Sequence, residues 1–84
     1  MQIELFHKTQ CPYSAKVRSF VEENNLKDKI SYREITESAE AAQKLESLTG
    51  KKQVPCLVVD GKPILESDSI IQWLQQNLAS SRAS

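Results

Sequence analysis

Two cysteines, a single histidine and the polar residues around the first cysteine are where this chain could do covalent chemistry. Cys11 stands directly before Pro12, a residue suited to the first position of a helix because its missing N–H has no partner there in any case. A cysteine at a helix start lies among unpaired N–H groups, at the positive end of the helix dipole. That placement lowers a thiol pKa from about 8.5 into the range of roughly 3.5 to 7.5, and the thiolate is the nucleophile of disulfide exchange. His7, Lys8 and Lys16 are near in sequence and add positive potential wherever they face the sulfur. The competing use of a lone cysteine is as a small, half-buried packing residue. Ser14, about a helical turn on, carries a hydroxyl that can donate to a thiolate but cannot attack a disulfide. Cys56 follows Pro55 in an apolar run, points differently from Val54 by strand alternation, and reads as a packing cysteine rather than a second reactive thiol. His7 reads as a surface or internally satisfied histidine, not a catalytic base. Cys11, Cys56 and His7 are too few for a zinc site, so no metal is expected.

The elements that must position Cys11 follow from hydrophobic period and breakers. Gln2 to Phe6 is a short β-prone run, and Ile30 to Ile35 alternates Ile30, Tyr32 and Ile35 with polar residues, so both predict strands. Val17, Phe20 and Val21 recur at helical spacing and predict a helix from Pro12 to about Asn25. Ala41, Ala42, Leu45 and Leu48 predict a second helix, capped by Thr36 or Ser38 and stopped near Thr49 by Gly50. Val54 to Val59 is a strand-length apolar run broken early by Pro55. Asp60-Gly61 after it is the strongest hairpin signal in the chain, returning through Pro63 to Leu65. Ser67, Asp68 and Ser69 offer capping oxygens ahead of Ile70, Ile71, Leu74 and Leu78, which draw one apolar face. The order is β-α-β-α-β-β-α, an α/β chain whose parallel first pair and hairpin last pair give a mixed four-stranded sheet flanked by helices. Trp73 is expected to pack from the last helix, in the core or at its boundary.

Composition narrows the class. Eighty-four residues with eleven basic and eleven acidic side chains have a formal net charge of zero, which offers no field to nucleic acid or to an anionic membrane. One domain over 1–84 is expected, with the polar stretch 80–84 as a fraying tail. Neither a leader peptide nor an apolar span is read in the sequence, and two cysteines are too few for a disulfide scaffold. A reducing, cytoplasmic setting and a monomer are the expectation.

The run Lys8-Thr9-Gln10-Cys11-Pro12-Tyr13 after a first strand resembles the active-site segment of the glutaredoxins, a thioredoxin-like family. The resemblance implies that Cys11 forms the mixed disulfide with glutathione, that Lys8 helps hold a glutathione carboxylate, and that Tyr13 flanks the thiol. Ser14 stands where the two-cysteine members have their second cysteine, either as the native residue of a monothiol protein or as an engineered one that traps an intermediate, and in both cases the resolving thiol is gone. Gln53-Val54-Pro55 is similar to the segment that such proteins place opposite the nucleophile with a cis peptide. By that resemblance the Val54 backbone, next to Pro55, pairs with the glutathione main chain like an added strand.

Glu66-Ser67-Asp68 offers backbone donors and a hydroxyl to an anion, and carboxylates to an ammonium group, which are the needs of a γ-glutamyl end. Helix capping alone is the other use of such residues. Leu65-Glu66-Ser67 looks more like the N-terminal domain of a glutathione transferase than like the glycine pair common in glutaredoxins. Lys51 and Lys52 could meet the glycyl carboxylate, although a lysine pair in a loop is ordinarily just solvated. Together these readings imply a glutathione-dependent thiol–disulfide oxidoreductase that takes glutathione, as co-substrate, from glutathionylated proteins or small mixed disulfides. The alternatives are a glutathione-binding module without turnover and a transferase-like N-terminal domain. An iron–sulfur carrier is disfavoured, since monothiol relatives of that kind usually have Gly-Phe where Pro12-Tyr13 stands.

Overall fold

The computed structural model describes residues 2–79. The stretch 80–84, read above as a fraying tail, lies outside the described residues. The elements are β1 (Ile3–His7), α1 (Pro12–Glu23), a 3-10 turn (Lys27–Lys29), β2 (Ser31–Glu34), α2 (Ala39–Thr49), β3 (Cys56–Val59), β4 (Lys62–Leu65) and α3 (Ser67–Leu74), which runs on into a π-helical stretch (Gln75–Ala79). The sheet order is β2-β1-β3-β4, with β1 parallel to β2 and both other pairings antiparallel. This is the expected thioredoxin-like mixed sheet.

Strand alternation divides the core. Ile3 and Leu5 of β1 and Leu57 of β3 pack with Val17, Val21, Ile70 and Leu74, so α1 and α3 cover one face. Phe6, Cys56 and Val58 pack with Ala41 and Leu45 of α2 on the other. Because both faces are covered, β1 is buried along its whole length, as expected of a central strand with helices on either side. Trp73 packs, partly buried, against the first cluster, at the boundary rather than inside the core. A buried polar side chain, Glu4, interrupts the second face and meets Arg33 and Lys44, each at 2.9 Å.

Several boundaries differ from the sequence expectation, each for a local reason. Helix α1 ends at Glu23 rather than Asn25: Asn24 turns its backbone and side-chain N–H groups onto Phe20, and Asn25 takes φ 56°. β3 begins at Cys56 instead of Val54, after a cis Val54–Pro55 peptide. The two-residue turn is as expected, with Asp60 at φ 50° and Gly61 at φ 87°, both positive as a type I′ hairpin needs. Ser38, not Thr36, caps α2 by accepting from the Ala41 N–H at 3.1 Å, and Gly50 closes it at φ 81°. The capping expected of Ser67, Asp68 and Ser69 does not occur. Helix α3 already starts at Ser67, and its cap position is Glu66, which makes no side-chain cap and has φ 73°.

Candidate functional site

Cys11 closes the loop between β1 and α1. It is the N-cap of α1 in an extended conformation, Pro12 takes the first helical position, and the Cys11 carbonyl accepts the Ala15 N–H at 2.9 Å. The thiol is free and half-buried. Burial pushes its pKa up, but the donors of the first turn outweigh burial. Ser14 acts through its N–H and its hydroxyl, Tyr13 through its N–H, and Lys8 through its charge, so the thiol lies below the ordinary value. Ser14 is wholly buried and its Oγ accepts the Lys8 N–H at 3.3 Å, which leaves its hydrogen for the sulfur. A second thiol at this position would lie in the same first turn.

Cys56 is the chemical opposite. It is wholly buried in the α2-side cluster, and burial pushes its thiol up to about 11. A thiol this protonated and inaccessible is inert in exchange.

Two depressions adjoin at Gln53 and Val54. One, of about 290 Å³, is lined by Tyr13, Pro55 and the run Glu66, Ser67, Asp68. The other, of about 730 Å³, runs past Lys8, Cys11 and Lys52 to Glu34, Thr36 and Glu37. Lys8, Cys11, Tyr13, Val54, Pro55, Glu66, Ser67 and Asp68 therefore line one continuous cleft, whereas Ser14 lies buried behind the thiol. Tyr13 is 65% exposed, unusual for so large an apolar ring, and stands at the cleft rim beside the thiol. The smaller depression carries the Glu66 and Asp68 carboxylates, and the larger one carries Lys8 and Lys52 together with Glu34 and Glu37. Lys51 does not line it; Lys52 does.

Some expectations change in detail. Lys16, considered as a source of positive potential at the sulfur, instead holds Asp68 at 2.7 Å and ties α1 to the start of α3. His7 is buried, with Nδ1 2.9 Å from the Arg18 guanidinium and its ring edge-on to Tyr32 at 5.2 Å. Burial and the Arg18 charge hold its pKa down, and because arginine can only donate, Nδ1 is the acceptor and the ring is neutral. It is the internally satisfied histidine.

Sequence reasoning missed the groups that fix the loop. Arg18 donates to the carbonyls of Lys8 at 3.0 Å and Thr9 at 3.1 Å. Glu34 accepts from Thr9 on the other side. Gln53 belongs to both depressions. Arg18 follows Val17 on α1 and carried no signal beyond a polar position on an amphipathic helix; Gln53 had one, its place before Val54-Pro55. Among the described residues no three His, Cys, Asp or Glu side chains gather as metal ligands.

Comparison with known proteins bears on the family and the fold. The glutaredoxin family profile matches residues 3–64. No curated protein sequence matches. Among solved structures, the thioredoxin-like protein BC3987 is 25% identical with a TM-score of 0.73, over 89% of this chain and 97% of its own. The holo form of glutaredoxin C1 from Populus tremula x tremuloides is 26% identical with a TM-score of 0.66, over 89% of this chain and 75% of its own. A glutathione transferase family member from Pseudomonas fluorescens with bound glutathione is 25% identical with a TM-score of 0.76, over 89% of this chain and 38% of its own. The chain spans 40% or less of the length of the glutathione transferases it resembles.

Proposed function

This chain belongs to the glutaredoxin family, and from that premise we propose that it reduces glutathione mixed disulfides by a monothiol route through Cys11. The observation that carries the reading is the pairing of a lowered thiol at Cys11 with a buried hydroxyl, Ser14, where a second thiol could otherwise stand. The Cys11 thiolate attacks the glutathione sulfur of a mixed disulfide. The S–S bond breaks, the partner leaves as a thiolate and takes a proton from water, and Cys11 is left joined to glutathione. A second glutathione thiolate then attacks the glutathione sulfur of that adduct, which releases oxidised glutathione and restores Cys11. The entering glutathione is oxidised as the partner's sulfur is reduced, the transferred glutathione sulfur stays at the disulfide level throughout, and the protein needs only thiolate character, access and an orienting cleft.

In this reading glutathione lies extended across the Val54 backbone at Pro55. Its γ-glutamyl end meets the Ser67 and Asp68 N–H groups and the Glu66 carboxylate, and its glycyl carboxylate turns toward Lys8 and Lys52. Tyr13 covers the sulfur. The transferase family member crystallised with glutathione supports the choice of ligand. The same reading gives the protein glutathionylated proteins and small mixed disulfides as partners, a reducing compartment such as the cytoplasm, and work as a monomer.

The test is turnover of a glutathione mixed disulfide with glutathione and a coupled glutathione reductase. The parent and Cys56→Ala should turn over alike, and Cys11→Ser should be inactive. Activity surviving in Cys11→Ser refutes the assignment. A parent chain that takes up glutathione at Cys11 but does not turn over is a binding module instead.

A further inference from the structure

Glu34, at the end of β2, has a role the reaction above does not use. One carboxylate oxygen accepts the N–H and the hydroxyl of Thr9, both at 2.7 Å. The other accepts the N–H and the hydroxyl of Thr36, both at 2.6 Å. Thr9 belongs to the loop that carries Lys8 and Cys11, and Thr36 to the loop between β2 and α2. Residues of both loops line the larger depression, and Glu34 lines it with them. Four charge-assisted bonds at these distances are the strong kind. They hold the carboxyl far below the usual range, the Thr36 hydroxyl contributing most.

The thiolate's own donors come from elsewhere, chiefly Ser14 and Tyr13 in the first turn of α1. Glu34 is therefore placed to govern the shape of the cleft while the chief donors to the sulfur, Ser14 and Tyr13, stay in place. Removing it leaves the Thr9 loop with its Arg18 contacts but cuts its tie to the β2–α2 loop.

We propose that Glu34 is a positioning residue that ties the thiol loop to the β2–α2 loop in the lining of the cleft that takes the glycyl end of glutathione. The proposal rests on the reading of the cleft as a glutathione site, and it concerns ligand affinity rather than thiol reactivity. A glutamine in its place keeps the shape but has one acceptor oxygen, so one threonine loses its partner.

The experiment compares the parent, Glu34→Gln, Thr36→Val and Thr36→Ser by three measurements. These are the Kd of unreactive S-methylglutathione, amide hydrogen exchange at Thr9 and Thr36, and the pH profile of Cys11 alkylation. Glu34→Gln should weaken S-methylglutathione about tenfold, the size expected when a charge-assisted bond that orders a binding wall is lost. Exchange should speed up at Thr9 or Thr36, and the alkylation profile should stay where it is. Thr36→Val should follow in part, and Thr36→Ser, which keeps the hydroxyl, should match the parent. Unchanged amide exchange in Glu34→Gln, unchanged affinity, or a shifted alkylation profile each overturns the proposal. A parent that does not bind S-methylglutathione overturns the glutathione reading and this role together, whereas a binding parent with an indifferent Glu34→Gln overturns this role alone.

Discussion

Glu66 sits at the entrance to α3 with φ 73° and ψ 130°, a backbone region that costs a residue with a Cβ about 1–3 kcal/mol and costs glycine nothing comparable. Glu66→Gly should release that strain. Against the gain, glycine raises the entropy of the unfolded chain by about 0.5–1 kcal/mol. The net expectation is a stabilisation of about 0–2.5 kcal/mol, at roughly 4–8 °C in Tm for each kcal/mol in a domain of this size. The helix should not suffer, because Glu66 makes no side-chain cap and its carbonyl still accepts the Ile70 N–H at 3.0 Å. Function should move the other way. The exposed Glu66 carboxylate lines the smaller depression with Ser67 and Val54, and losing an exposed ion pair to the γ-glutamyl ammonium should raise the KM for glutathione about two- to fivefold. Thermal melting and steady-state kinetics on Glu66→Gly and Glu66→Ala separate the two effects. Alanine removes the carboxylate but keeps the Cβ, so it should raise KM equally without a comparable gain in Tm. A Glu66→Gly protein that melts no higher than Glu66→Ala refutes the strain argument. Equal KM values in the parent and both variants refute the ligand role.

Alkylation followed by peptide mapping should modify Cys11 below neutral pH and leave Cys56 untouched until the protein unfolds, because one thiol is lowered and half-buried while the other is raised to about 11 and sealed in the core. Ser14→Ala removes a donor to the thiolate and should move the Cys11 profile to higher pH; an unmoved profile means that the hydroxyl does not serve the sulfur. After treatment with oxidised glutathione, mass spectrometry should find one glutathione on the parent, whereas Ser14→Cys should shift toward an internal disulfide; a Cys11–Cys56 disulfide in the parent would make Cys56 the resolving thiol and end the monothiol reading. Glu4 is held below its ordinary value of 4.5: burial pushes it up, but Lys44 and Arg33 outweigh burial. Its stabilisation is therefore present above that value and lost as pH falls through the lower folded one. Glu4→Gln should flatten that part of the acid unfolding curve, and an unchanged curve would show that the two ion pairs contribute nothing net.

The element order, the thiol at a helix start and the hairpin were legible in the sequence because each is written locally. Pro12 after Cys11, the spacing of Val17 and Val21, Gly50 after Thr49 and the pair Asp60-Gly61 all act within a few residues, where backbone sterics and hydrogen-bond reach leave few alternatives. The burial of Cys56 was legible for a similar reason, since an apolar run of strand length has two faces to cover. The partners of individual polar side chains were not. Thr36 and Ser38 are equally good caps on paper, but in the fold Ser38 accepts the Ala41 N–H while Thr36 turns to Glu34 and donates both its N–H and its hydroxyl to it. Asp68 looked like a cap until Lys16, 52 residues away in sequence, came within 2.7 Å. Glu34 and Thr9 are 25 residues apart, and Arg18 reaches back ten to Lys8. A polar side chain has many partners of equal chemistry open to it, and only the packing of β2 beside β1, with α1 and α3 sharing one face of the sheet, decides which of them lies within hydrogen-bond distance.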